Sequence, residues 1–299
     1  MDINTALQHA LACLRQAHLA TSQEAPPPRK NHQEICQAPA PRARLEAEIL
    51  LGFVLGKERV WLHTHDRQKL DSREQERFFS LIDQRAKGCP IEYLTHRVSF
   101  LDFELFVDPS VLIPRPESEI LVQKVCETLS HDQSPHLTLI EVGIGSGALS
   151  IAIARAFPKL SIIATDISQA ALHTAARNIA HFDLQERIML RHTSLLDGID
   201  TSSISLVFSN PPYIATSYPI AKSLSYEPSS ALFGGEKGSE ILESLIAKCS
   251  THKIPYLVCE MGYDQKHRLA QVLESSGYEA EFYTDLAGLD RGFVARLQS

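Results

Sequence analysis

From residue 137 onward the chain alternates short apolar runs with helical segments, and few folds accept that rhythm. The runs are LTLIEVG, LSIIATD, RIMLRHTS, ISLVFSN and YLVCEMG, and helical periodicity near 147–157, 168–182, 238–250 and 264–276 separates most of them. Short runs apolar on both faces suit strands covered by helices on either side, the pattern of a parallel sheet. Two more strand-like segments, YEAEFYTD and GFVARLQ, close the chain, joined by a loop too short for a crossover helix. They are expected to pair antiparallel. The fold class implied is α/β, Rossmann-like: a mostly parallel sheet of seven strands with an antiparallel last strand.

The segment 1–85 carries a different pattern. Ile3, Leu7, Leu11 and Leu14 recur at helical spacing, 43–56 is an amphipathic helix ending near Gly56, and 71–88 is another. Asp71 is its N-cap, Glu74 completes a capping box, and Gly88 ends it. The Pro-rich stretch 21–42 has no sustained period and is expected to be a long loop. The organisation expected is a small all-α N-terminal domain (1–85), a linker with a β-hairpin turning near Leu101 and Asp102 (86–112), and a catalytic domain (113–299). In the last of these, Pro116 sits where a helix begins, with Glu117 and Glu119 in its first turn.

Bulk properties narrow the function. Net charge is −7 with no basic domain, which argues against a dedicated nucleic-acid binder. The six cysteines form no C-x-x-C pair, so neither a disulfide framework nor a metal site is expected, and a reducing compartment such as the cytoplasm fits. No apolar run approaches the length of a membrane span, so no membrane partner is expected. The segment 1–20 lacks the core of a signal peptide.

Two motifs carry chemistry. In IEVGIGSGALSIAIA (140–154), Gly143, Gly145 and Gly147 make a tight turn from strand to helix, so backbone can approach a ligand closely. Asp166 ends the next strand, where a carboxylate can hold both hydroxyls of a ribose. Glu141, just before the glycines, would repel a pyrophosphate and suit a cation. An acid at each strand tip therefore favours S-adenosyl-L-methionine over a dinucleotide. The second motif, Asn210-Pro211-Pro212-Tyr213, stops the strand LVFS. Two prolines cannot extend a ladder. They make a rigid platform on which the Asn210 oxygen and the Pro211 carbonyl can accept both N–H bonds of a planar amino group, with Tyr213 stacked on it. Such a group is a weak nucleophile that needs positioning more than a strong base.

The same residues resemble the S-adenosylmethionine-dependent amino-methyltransferases. Asn-Pro-Pro-Tyr alone leaves open a DNA adenine or rRNA guanine methylase. RAKGCPIEYLT (85–95), LIPRPESE (112–119), YEPSSALFGGEKG (226–238), EMGYDQ (260–265) and DLAGLDRGFVAR (285–296) resemble the protein-glutamine methyltransferases of the HemK/PrmC family. That resemblance, over residues 43 to 299, implies methylation of the glutamine side-chain nitrogen in the Gly-Gly-Gln motif of class-I peptide-chain release factors. It also implies a helical domain that contacts the release factor, S-adenosyl-L-homocysteine as by-product, a monomer, and no direct nucleic-acid partner. The candidate cofactor residues are Glu141, Gly143, Ile144, Gly145, Ser146, Gly147, Asp166, Ile167, Ser194, Leu195 and Asn210. Asn210, Pro211, Pro212 and Tyr213 are the catalytic candidates, and Arg115 and Glu117 join them as substrate contacts. An alternative for Arg115 is an ion pair with Glu119.

The chain departs from the family pattern in its long 21–42 stretch and in His96, where glycine is usual. It departs also in Ser118 for threonine and in Thr193-Ser194-Leu195, where an acid usually follows the serine. His63 and His65 form a His-x-His pair expected to lie in a loop and to be structural. Cys259 reads as a core residue.

Overall fold

The computed structural model describes residues 1–24, 43–130 and 137–298, the side chains of 18–24 excepted. The chain divides into two compact units, one of residues 1–96 with 219–226, the other of 97–218 with 227–299. The segment 219–226, counted in the catalytic domain from sequence, thus groups with the helices.

The first unit holds α1 (Ile3–Glu24), α2 (Ala43–Leu55), α3 (Arg59–Thr64), α4 (Ser72–Ala86), α5 (Ile91–Thr95) and a 3₁₀ turn (Lys222–Tyr226). Ile3, Ala6, Ala10 and Leu14 form the buried stripe of α1, meeting Leu50 and Leu51 of α2 and Phe78 and Ile82 of α4. The capping box of α4 is present: Glu74 N donates to Asp71 Oδ1 at 2.8 Å and Asp71 N to Glu74 Oε2 at 2.7 Å. α1 runs to Glu24, so the expected loop begins later than residue 21, and 25–42 lie outside the described residues. His63 is on α3 rather than in a loop, 3.6 Å from the buried Glu48 that Arg44 and Arg59 also hold. His65 caps that helix and stacks on Trp61 at 4.1 Å. Short α3 and α5 escape sequence reading because one or two turns give no period to detect.

The second unit opens with a hairpin, β1 (Arg97–Phe100) and β2 (Phe103–Phe106), turning at Leu101 and Asp102 as expected. Then follow α6 (Ser118–Ser130), β3 (Thr138–Val142), α7 (Ala148–Ala156), β4 (Ser161–Asp166), α8 (Gln169–His181), β5 (Ile188–His192) and β6 (Ile204–Ser209). The chain continues through β7 (Ile214–Ala215), α9 (Ser229–Leu232), β8 (Phe233–Gly235), α10 (Glu240–Thr251), β9 (Tyr256–Glu260), α11 (Lys266–Ser275), β10 (Tyr278–Thr284) and β11 (Asp290–Leu297).

Seven strands form one sheet in the order β10-β11-β9-β6-β3-β4-β5, in which only β11 runs against its neighbours. Successive strand residues alternate between two apolar layers, as the pleat requires. Leu139, Leu206 and Phe208 join Ile151 and Ile153 of α7 on one face; Ile140, Val207 and Leu257 join Leu242, Leu245 and Leu269 of α10 and α11 on the other. β3 lies between β4 and β6, so connections leave it in both directions, and a crevice opens at the carboxyl ends of these three strands. No described helix is long and apolar enough to cross a membrane.

Candidate active site

The crevice holds a cleft of about 400 Å³. On one side is the turn after β3. Gly143 and Gly145 have φ of 75° and 53°, and a side chain at either would project into open space. The backbone N–H groups of Gly143 and Ile144 donate to Thr165 O at 2.8 and 3.0 Å, lashing the turn to β4. Asp166 ends β4. Its Oδ2 accepts from Gly145 N at 3.1 Å and its Oδ1 from Ser168 N at 2.8 Å. Burial raises the Asp166 carboxyl above its ordinary range against the pull of these N–H groups. Ile167 follows with 58% of its surface exposed, an aliphatic side chain left open at the cleft wall.

Glu141 is buried beneath the turn, its Oε2 accepting from the backbone N–H of Ser150 at 3.1 Å and from the Ser150 hydroxyl. Burial pushes the carboxyl up to about 8 despite those bonds. A cation in the cleft would draw it back down.

The opposite side is the tip of β6. Asn210 Nδ2 donates to Ser118 Oγ at 2.9 Å, and Ser118 Oγ donates to Glu260 Oε2 at 2.7 Å. Tyr213 Oη donates to the other oxygen of Glu260 at 3.3 Å. Gln265 Nε2 donates to Tyr213 O at 3.0 Å, holding the main chain after the prolines. β8 supports that chain from below: a Cβ on Gly234 would collide with Pro212 O and Gly238 O. Burial raises Glu260 to about 6, while Ser118, Arg291 and Tyr213 draw it down.

Of the residues expected from sequence, Glu141, Gly143, Ile144, Gly145, Ser146, Asp166, Ile167, Ser194, Leu195, Asn210 and Pro212 line the cleft. Gly147, Pro211, Tyr213, Arg115 and Glu117 are not among its lining residues. Gly147 caps α7 instead. The Arg115 guanidinium lies 2.5 Å from Glu227 Oε1, not on Glu119, whose carboxylate accepts from Leu101 N. Glu227 also accepts from Ile113 N at 3.1 Å and so ties the 112–119 stretch to the 226–238 stretch.

Sequence reading missed the roles of Ser118, Glu227, Glu240 and Glu260. Glu240 lines the cleft, its Oε1 accepts from Lys237 N, and its Oε2 is the one buried side-chain oxygen without a hydrogen-bond partner among the described residues. Among those residues no group of His, Cys, Asp or Glu could hold a metal ion.

The chain matches two protein families, the PrmC N-terminal domain over residues 32–95 and the methyltransferase small domain over 117–232. It is 36% identical to the release factor glutamine methyltransferase of Xylella fastidiosa (strain Temecula1), over 85% of this chain and 93% of that one. The chain belongs to the release factor glutamine methyltransferase family. The protein of that name from Coxiella burnetii is 35% identical, over 85% of this chain and 91% of the other. The one from Koribacter versatilis is 32% identical over 89% and 94%.

Solved structures agree on the fold alone. The hMettl16 catalytic domain, in complex with a 3′UTR hairpin, is 15% identical with a TM-score of 0.54, over 73% of this chain and 81% of that one. A human methyltransferase 10 domain containing protein is 15% identical with a TM-score of 0.50, over 74% and 99%. The mostly parallel seven-stranded sheet with its single reversed strand is a methyltransferase fold, and a helical region precedes it.

Proposed function

We propose that the protein transfers a methyl group from S-adenosyl-L-methionine to the side-chain amide nitrogen of the glutamine in the Gly-Gly-Gln motif of class-I release factors. The observation that carries this reading is the orientation of Asn210: its Nδ2 is taken by Ser118, so Oδ1 is free to accept an N–H from an amide in the cleft.

The residues present fit the cofactor. Gly143 and Gly145 leave room where a Cβ would intrude, Asp166 offers a carboxylate to the ribose, and Ile167 offers an apolar surface to a purine. Ser194 and Leu195 line the cleft and border the same base in this reading. Glu141 complements a positive charge. The cofactor, when bound, supplies a methyl on a positively charged sulfur and leaves as S-adenosyl-L-homocysteine.

An amide nitrogen is planar, with its lone pair delocalised. Asn210 Oδ1 accepts one of its two N–H bonds, holds it in place, and favours the positive charge that grows there during transfer; the Pro211 carbonyl, the expected acceptor of the second, is on a residue outside the cleft lining. Tyr213 acts from behind the tip, through Glu260 and through its own main chain. Arg115, pinned by Glu227 outside the cleft lining, is in this reading a contact for the substrate main chain. Glu117 stands beside Glu260 and tunes its charge. The helical unit provides recognition surface, because one glutamine is too small a contact for tight binding of a folded partner. The proposed setting is the cytoplasm, with the enzyme acting as a monomer.

The test is transfer of label from methyl-labelled cofactor to an intact class-I release factor, to the same factor with its Gly-Gly-Gln glutamine replaced by alanine, and to DNA and rRNA. Label is expected on the first alone. Label on nucleic acid and none on the release factor would return the family's amino-methyltransferase relatives to the front.

A further inference from the structure

The Asn-Pro-Pro-Tyr tip is backed by a line of groups, Asn210–Ser118–Glu260, that starts at the cleft wall, where Asn210 and Ser118 lie, and ends on a buried carboxylate: Ser118 is 3% exposed and Glu260 1%. A serine hydroxyl has one hydrogen. An ionised Glu260 can only accept, so the Ser118 hydrogen must point to it. Ser118 Oγ is then left as an acceptor, and Asn210 has to turn its NH₂ toward Ser118 and its oxygen toward the cleft. The carboxylate thereby decides the direction of every hydrogen bond in the line.

Resting on the methyl-transfer reading above, we propose that Glu260 is a positioning residue which, through Ser118, fixes the Asn210 amide with its oxygen toward the substrate, and that a proton on Glu260 reverses it. A proton taken from solvent onto Glu260 Oε2 makes that oxygen the donor to Ser118 Oγ. The Ser118 hydrogen then swings to Asn210, which must present Oδ1 to it. Nδ2 now faces the cleft, and an NH₂ cannot accept an N–H from the target amide.

The surroundings bring Glu260 into a range where this matters. Burial raises its carboxyl to about 6, Glu117 pushes the same way, and Arg291 and the donors Ser118 and Tyr213 oppose. Tyr283 on β10 also feels its charge. Arg291 is itself held by Asp285, 2.6 Å away, both nearly buried, so it stays in place as a fixed counter-charge.

The experiment measures kcat at saturating cofactor, from pH 5 to 8, on an intact release factor, for the wild type, Ser118→Ala, Ser118→Thr and Glu260→Gln. Cofactor affinity by calorimetry serves as the check that each variant is folded. For the wild type, kcat should fall as pH drops below about 6, up to tenfold per unit. Ser118→Ala should lower kcat roughly 10- to 100-fold, below the cost of losing the Asn210 side chain itself. Its cofactor affinity should stay within about twofold, because the Ser118 hydroxyl bonds Asn210 and Glu260 and shares no hydrogen-bond partner with Asp166. Ser118→Thr keeps the hydroxyl and should restore kcat. Glu260→Gln cannot titrate, so its profile should lose the acid limb whichever way its amide sits. A purely structural role predicts none of the pH behaviour. The relay alone is overturned if the wild type labels the release factor while Ser118→Ala retains full kcat, or if Glu260→Gln keeps the wild-type acid limb. If the wild type leaves the release factor unlabelled, the functional reading fails and takes the relay with it.

Discussion

The tips of β3 and β4 and the tip of β6 face one cleft but are built in different ways. The first is made mostly of main chain. Gly143, Ile144 and Gly145 present N–H groups to Thr165 O and to Asp166, and the residues involved span 141 to 168. The second is made of side chains gathered from afar: Ser118 reaches Asn210 across 92 positions and Glu260 across 142. A site of the first kind holds a ligand by shape and by a few fixed charges. A site of the second kind holds a reacting group in one orientation, and its state depends on where protons sit. In the proposed function the labour divides accordingly: affinity for the cofactor is assigned to the turn, and rate to the β6 tip.

That division can be broken most sharply at Asn210. Replacing it by alanine should cost on the order of 10²–10³ in kcat, the scale of one well-placed polar group. Cofactor affinity should be nearly unchanged. A matching loss in both quantities would show that the two tips do not act separately.

Asp166→Ala is the reciprocal test. Charge-assisted hydrogen bonds are worth roughly 1.5–3 kcal/mol, so the cofactor dissociation constant should rise about 10- to 100-fold. Rate at saturation should change far less. Isothermal titration giving the wild-type constant would remove Asp166 from the ribose.

Glu141 adds a pH signature to the turn. Burial pushes its carboxyl up to about 8, and a bound cation draws it down, so cofactor binding should release a proton. Affinity should therefore rise with pH and level off above about 8, by up to tenfold per unit on the rising limb. Glu141→Gln should flatten the curve. If titrations at pH 6.5 and 8 give the same constant in the wild type, Glu141 does not face the positive charge.

The smallest effect lies outside both tips. His96 caps α5 in the left-handed region, with φ of 57°, where a side chain is strained and glycine is not. His96→Gly should raise stability by under about 1 kcal/mol, a few degrees in melting temperature, and leave kcat untouched. A fall in melting temperature would mean that the contacts of the imidazole outweigh the strain.

Legibility in the sequence follows the same contrast. The mostly parallel sheet and its reversed last strand were open to reading because alternation and loop length are local signals, repeated from strand to strand. The order of the strands was not, since it is settled by which edges meet in space. The glycine turn and Asp166 were legible because strand tip, turn and carboxylate follow one another closely along the chain. Asn210 was legible through its two prolines. Ser118 and Glu260 were not: each sits in a recognisable stretch, but nothing in the spacing of 118, 210 and 260 says that one hydroxyl will stand between an amide and a carboxylate. Arg115 shows the same limit. Its helical neighbour Glu119 was the natural partner by spacing, yet the fold supplied Glu227 from 112 positions away. Contacts fixed by tertiary packing leave no periodic trace.

Gly234 sets a different kind of boundary. Any side chain there would be driven into the carbonyls of Pro212 and Gly238, so β8 admits only glycine at this position beside the platform. In a pool of random variants selected for methyl transfer, position 234 should be depleted as severely as Asn210, although it does not line the cleft. A map of tolerated substitutions would then colour a piece of plain backbone as though it were chemistry. Telling the two apart requires asking each failed variant whether it still folds.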